Sequence, residues 1–338
     1  MTNNAKPPDH PPVEHGRIGV LLINLGTPDA PEAGAVRRYL AEFLTDPRVI
    51  EIPAWLWRPI LHGVVLGLRP RKSAHAYRQI WTNEGSPLAA ITRRQTDALR
   101  ERLGEGVVVE FAMRYGRPGI AAAVGRMVAA GSDRILAAPL YPQYCAATTA
   151  SAQDAFFAAL AGLRRQPAIR TLPAYYNDPL YIDALTTSIE RQLLALDFAP
   201  QRLLLSFHGM PQRTLELGDP YHDQCQATAR LLGDKLAIAT DVAFQSRFGR
   251  AKWLQPATDA TLAAYPGQGV TRIAIAAPGF SADCVETLEE LEIRGRDTFV
   301  AAGGESFARL DCLNDSAEGM HMLEGLVRRE LAGWLPPE

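Results

Sequence analysis

The stretch LLLSFHGMP (203–211) decides how the chain is read. Its three leucines make an apolar run of the length expected of a strand buried on both faces, as parallel strands are. A histidine, a glycine and a proline then end the run abruptly. In open parallel sheets, ligands bind beyond the carboxyl ends of the strands. An imidazole at such an end can accept a proton near neutral pH, or bind a metal through a neutral nitrogen. His208 is therefore a candidate for chemistry, although taken alone it is equally a loop histidine held by a hydrogen bond.

Outward from this stretch, apolar runs alternate with helical patterns. IGVLLINLG (18–26) predicts a strand ending at Gly-Thr-Pro, and EAGAVRRYLAEFL (32–44) spaces its apolar residues as a helix does. VVVEFAMRYG (107–116) and RILAAPLYPQY (134–144) predict two strands around the helical GIAAAVGRMVAAG (119–131). The order then returns. RLLLSFH (202–208) predicts a strand and YHDQCQATARLLGDKL (221–236) a helix. IATDVAFQSRFG (238–249) and RIAIAAPGFS (272–281) predict two more strands. Such alternation predicts an α/β protein of right-handed βαβ units, arranged as two Rossmann-like, doubly wound parallel-sheet halves. The expected bounds are a disordered tail over 1–16, one half over 17–170, a second over 171–315 and a C-terminal helix over 316–338.

Composition narrows the function. The 338 residues are 47% hydrophobic, enough for real cores, and the formal net charge of −2 gives no basic excess for nucleic acid. No apolar run reaches the roughly 18 residues of a membrane span. The polar, Pro-rich start lacks the apolar core of a secretory signal, which points to the cytoplasm. Cys145, Cys225, Cys284 and Cys312 lie far apart with no C-x-x-C pair, against a zinc knuckle or disulfide framework. No glycine-rich phosphate loop follows any predicted strand, so nucleotide chemistry is not expected.

A second stretch complements the first. PGFSADCVETLEELEIRGR (278–296) leaves a strand through Pro-Gly and predicts a helix from Ser281 or Asp283. Asp283, Glu286 and Glu290 then fall at i, i+3 and i+7 on one face, with Glu289 beside it. Two readings stay open here: a capping acid with a solvated acidic stripe, or carboxylates of a site. A third group, in AYRQIWTNEGSP (76–87), MRYGRP (113–118) and FQSRFGRAKWLQP (244–256), interleaves arginines with Tyr77, Trp81, Tyr115, Phe248 and Trp253. Together these suit a flat, anionic ligand, whereas singly each is an ordinary core aromatic or surface arginine.

These stretches, with YLAEFLTDPRVIEIP, PLYPQY, GDPY and LNDS in the same order, resemble the ferrochelatases over nearly the whole chain. Those enzymes insert ferrous iron into a porphyrin in the last step of haem synthesis. The resemblance implies a porphyrin cleft between the halves, with His208 and Glu286 on opposite sides of the reacting centre as the catalytic and metal-meeting residues. It carries porphyrin contacts to Leu25, Tyr77, Ser86, Arg114, Tyr115, Trp253, Phe280 and Asp283. It further implies protoporphyrin IX as substrate, with protohaem formed and two protons released. Ferrous iron is then a substrate, and no cofactor is permanently bound. Relatives with an iron–sulfur cluster carry cysteines in a C-terminal extension, and none follows Cys312, so no cluster is expected. Where some relatives have histidine, this chain has Cys284. The same comparison implies a monomer in the cytoplasm. The lip YLAEFL (39–44), through Tyr39, Leu40, Phe43 and Leu44, would touch the inner membrane surface transiently unless it faces the core. Competing readings are a coproporphyrin III enzyme, a cobalt or nickel chelatase of the same architecture, and a non-catalytic tetrapyrrole carrier. The pairing of His208 with Glu286 favours an enzyme.

Overall fold

The computed structural model describes residues 16–249 and 251–335, so the expected tail lies outside the described residues save for Gly16. Strands β1 (Arg17–Thr27), β2 (Val107–Gly116), β3 (Ser132–Pro139) and β4 (Ala168–Thr171) form one sheet in the order β2-β1-β3-β4. Strands β5 (Arg202–His208), β6 (Thr240–Gln245), β7 (Arg272–Ala276) and β8 (Ser306–Arg309) form another in the order β6-β5-β7-β8. Every pairing is parallel. The two halves thus repeat one topology. Each reverses strand order beside its central strand, between β1 and β3 and between β5 and β7, which is where a doubly wound sheet opens a crevice.

The helices are α1 (Ala33–Thr45), α2 (Ala54–Ile60), α3 (Leu66–Ile80), α4 (Pro87–Leu103), α5 (Ile120–Ala129), α6 (Ser151–Ala161) and α7 (Pro179–Leu194) in the first part of the chain. They are followed by α8 (Gln212–Glu216), α9 (Tyr221–Lys235), α10 (Thr258–Ala264), α11 (Arg296–Ala301) and α12 (Ala317–Glu330). Strand side chains alternate between two cores. Leu21, Ile23 and Ile135 pack on Val124 of α5 and Phe156 of α6, and Leu204, Ile273 and Ile275 pack on Leu262 of α10 and Phe299 of α11. The opposite faces of both sheets share one core. There Val20, Leu22, Leu203 and Leu205 meet Leu99 of α4, Tyr181 of α7, Leu232 of α9 and Leu326 of α12. Burial on both faces explains why β1 and β5 read as unbroken apolar runs.

Several sequence expectations change. β4 and β8 escaped the reading because AIRT and SFAR are short and lack an apolar run. The strands expected over 134–144, 238–249 and 272–281 stop at Pro139, Gln245 and Ala276, and the remaining residues are loops at the cleft. The lip over 39–44 faces inward: Tyr39, Leu40 and Leu44 are buried in a core with Leu61, Tyr77 and Tyr115, and Phe43 packs against it. The exposed apolar side chains lie further on, at Ile52, Trp55, Leu56, Ile60, Val64 and Leu68. Among the described residues, no helix is long and apolar enough to cross a membrane.

The helix expected from Ser281 or Asp283 begins later and winds differently. Glu286–Gly295 is a π-helix, with Val285 as its N-cap. Such i→i+5 winding is rare beyond a single turn and is often found at functional sites. Asp283 therefore lies before the helix and does not share a helical face with Glu286 and Glu290.

Candidate active site

The carboxyl ends of both switch points converge on one cavity of about 90 Å³. From the first half come Asn24, Leu25, Gly26 and Thr27 at the end of β1, Leu140, Tyr141 and Gln143 after β3, Tyr77 of α3, and Ser86 and Leu88 at the start of α4. From the second half come His208 at the end of β5, Tyr221 of α9, and the segment after β7 that runs from Gly279 to Glu286. Local sequence explains the shape. Gly26 has φ +118°, and any Cβ there would run into the Tyr115 carbonyl. Gly209, where β5 ends, likewise has the Gln245 carbonyl in the place of a Cβ.

His208 is half-buried and its Nδ1 lies 2.7 Å from the Gly209 carbonyl oxygen. A carbonyl only accepts, so Nδ1 carries the proton and donates, leaving Nε2 with a free lone pair. The Phe280 ring stands 6.5 Å from the imidazole, centroid to centroid. Glu286, the first residue of the π-helix, lines the same cavity, and its backbone carbonyl accepts from Gln245 Nε2 at 3.1 Å. Around it stand groups that stay protonated. Burial, followed by the charge of Glu286, drives the Cys284 thiol and the Tyr77 phenol well above their ordinary values. Burial does the same to Tyr39, with Tyr77 and then Glu286 adding to it. Thr27 donates to Ser86 Oγ at 2.8 Å, joining the two first-half walls.

Leu25, Tyr77, Ser86, His208, Phe280 and Glu286 are thus brought together as the sequence predicts. Four other predicted contacts are not. Tyr115 is fully buried, and its hydroxyl donates to Asp46 Oδ2 at 2.8 Å. Arg114 lies over the Tyr115 ring, is paired with the same Asp46 carboxylate at 2.5 Å, and donates through Nε to Ser151 Oγ at 2.7 Å. The Trp253 ring lies tilted against Phe248, with centroids 4.8 Å apart, and lines a cavity of about 510 Å³ with Ser246, Glu290 and Arg294. Asp283 is buried and paired with Arg309 at 2.9 Å.

Sequence reasoning missed Asp46 and Ser151, whose types carry no site signal of their own. It also missed Gln143, which lies in the loop after β3 where a strand was expected, and Tyr221, the first residue of α9. The acidic stripe divides. Glu286 faces the cavity. Glu290 accepts from the Ser246 N–H at 2.7 Å and its hydroxyl at 2.6 Å, and Glu289 is buried against Arg294 at 3.0 Å.

Similarity to known proteins agrees with this geometry. The ferrochelatase family profile matches residues 17–331. A ferrochelatase of Rhizobium meliloti (strain 1021) is 53% identical, covering 97% of this chain and 98% of its own. Another from Bordetella parapertussis is 51% identical, over 96% of this chain and 91% of its own. Among solved structures, SirB from Bacillus subtilis with Fe3+ superposes with a TM-score of 0.56 at 13% identity, covering 94% of this chain and 96% of that one. That last likeness bears on the fold alone.

Proposed function

The chain belongs to the ferrochelatase family and inserts ferrous iron into a porphyrin for haem synthesis, and from that premise we propose that His208 and Glu286 carry the reaction. The supporting observation is that an imidazole with a free Nε2 and a carboxylate line one cavity from separate elements of the second half. A free-base porphyrin loses two pyrrole protons as the dication enters. Nε2 of His208 accepts them one at a time, releasing the first to solvent before it takes the second, and Glu286 offers oxygen ligands that draw iron out of its water shell. Tyr77, Tyr39 and Cys284 are all held protonated beside it. Leu25, Tyr77, Ser86 and Phe280 bound the macrocycle.

The helical segment over 54–80 carries Tyr77 of the cavity wall and the exposed apolar side chains Trp55, Leu56, Ile60, Val64 and Leu68. Arg58, Arg71 and Lys72 on that segment are exposed beside the apolar row. That composition suits transient contact with an anionic membrane surface, where an apolar porphyrin would be collected. The substrate is protoporphyrin IX and the product protohaem. The enzyme works as a cytoplasmic monomer, without an iron–sulfur cluster, its cysteines being buried and scattered.

Anaerobic assays with Fe²⁺ and either protoporphyrin IX or coproporphyrin III, following loss of the free-base spectrum, test this reading. Faster turnover of protoporphyrin IX is expected. Preference for coproporphyrin III overturns the substrate, and tight binding without turnover makes the chain a carrier.

A further inference from the structure

The Asp283 network lies outside the cavity, yet it touches both walls. Asp283 is 4% exposed and precedes the π-helix by three residues. Its Oδ1 accepts from the Thr287 hydroxyl at 2.8 Å and from Arg309 Nη1 at 2.9 Å, and its Oδ2 accepts from Asn314 Nδ2 at 2.7 Å. The bonds are reciprocal, because the Asp283 N–H donates to Asn314 Oδ1 at 2.8 Å and the Asn314 N–H to the Ser281 carbonyl at 3.1 Å. Thr287 in turn accepts from the Cys284 N–H at 3.0 Å. Asn314 therefore holds the segment 281–284 by side chain and backbone at once. It does so from φ +50°, a conformation asparagine tolerates better than most residues.

The other wall is tied to the same loop. Gln95 of α4 donates through Nε2 to the Ser281 carbonyl at 3.1 Å and to the Asn314 carbonyl at 2.8 Å. Arg94 pairs with Asp315 at 2.8 Å. Helix α4 begins next to Ser86, and Ser86 and Leu88 line the cavity. The loop between β8 and α12 thus fixes where the π-helix starts and where the first-half wall stands relative to it.

We propose that Asn314 is a positioning residue for metal insertion, setting the distance from Glu286 to His208 through its paired bonds with Asp283. This rests on the role of Glu286 given above. An error of about 1 Å in a reacting group costs on the order of a hundredfold in rate without loss of binding, so the signature is a split between kcat and KM.

Asn314→Gly keeps the left-handed backbone and removes only the side-chain bonds. Its kcat is expected to fall tenfold to a hundredfold, on the order of the misplacement effect, with the porphyrin KM and the fluorescence-quench Kd held within a few-fold. Thr287→Val, which removes one hydroxyl and keeps the shape, should give the same split at smaller size, and it carries the test should the glycine variant not fold. Unchanged kcat in folded variants overturns the proposal, as does a loss of kcat matched by a loss of porphyrin affinity. Glu286→Gln measured alongside separates the two ideas. Activity there overturns the role of Glu286 itself, and with it the proposal. An inactive Glu286→Gln beside a normal Asn314→Gly overturns only the positioning role.

Discussion

The end of β5, the central strand of one sheet, and the end of β2, an edge strand of the other, both carry residues suited to a site. Their fates differ. At β5, His208 spends one nitrogen on its neighbour's carbonyl and leaves the other open to the cavity. At β2, Arg114 and Tyr115 are instead bonded to Asp46 and Ser151: Tyr115 has no exposed surface, the Asp46 side chain is 3% exposed, and the Arg114 side chain is 19% exposed. Position at the carboxyl end of a strand therefore does not suffice for a reactive group. What decides is whether the protein itself satisfies the polar atoms.

The largest effects should fall on the β5 side. His208→Ala is expected to cost on the order of 10²–10⁴ in turnover, the usual scale for a lost general base. Porphyrin affinity should stay within a few-fold, because the ring contacts remain. Glu286→Gln keeps the shape and loses the charge, and should nearly abolish insertion with folding unchanged. Near-normal turnover in either variant would erase the difference between the two strand ends.

On the β2 side the expected loss is in stability. Asp46→Asn leaves the Arg114 guanidinium without its anion, and breaking a buried pair in this way costs roughly 3–5 kcal/mol. The effect has a pH signature. Burial alone would raise the Asp46 carboxyl. The hydrogen bonds from Ser151, the Arg48 N–H and Tyr115, with the charge of Arg114, outweigh it and hold the carboxyl below its ordinary value. A carboxyl lowered in the folded state stabilises above its unfolded pKa of about 3.9. That contribution fades as pH falls through the lower folded value. The gap between wild type and Asp46→Asn in urea unfolding should therefore hold from pH 7 to 5 and close below about pH 4. Turnover of the folded variant should change little. A large fall in kcat with stability intact would return Arg114 to the substrate.

The same contrast explains what could be read in advance. Apolar runs buried on both faces announced β1, β2, β3 and β5 because nothing but a parallel sheet core requires them. The short edge strands β4 and β8 bury too little to leave such a trace. His208 and Glu286 were legible through motif context. The fate of Arg114 was not, since it depends on Asp46, 68 positions away in the chain, meeting it in space. The π-helix was also invisible. Its sequence has acidic residues at spacings that an α-helix also accepts.

The smallest effect tests the reach of the acidic stripe beyond Glu286. Glu290 lies one wider turn along the π-helix, where a relay would place its next carboxylate. In the structure both of its oxygens are engaged, Oε1 by the Ser246 N–H and Oε2 by the Ser246 hydroxyl, with Arg294 at 3.7 Å from Oε2. Ser246 holds φ +65° to make these bonds, so the loop after β6 is shaped around the carboxylate. Arg294 is more than half exposed, and solvent screens its share of the attraction. Glu290→Gln can keep one of the two Ser246 bonds through its amide oxygen. It should cost about 1.5–3 kcal/mol of stability, the range for a hydrogen bond to a charged group. Turnover should fall no more than a few-fold, because Glu290 does not line the cavity and both of its oxygens are bonded to Ser246. A loss of tenfold or more, with a pH–rate profile shifted from that of the wild type, would mean that protons travel past Glu286 along the helix. The line between a reactive group and a satisfied one would then have to be drawn beyond Glu290.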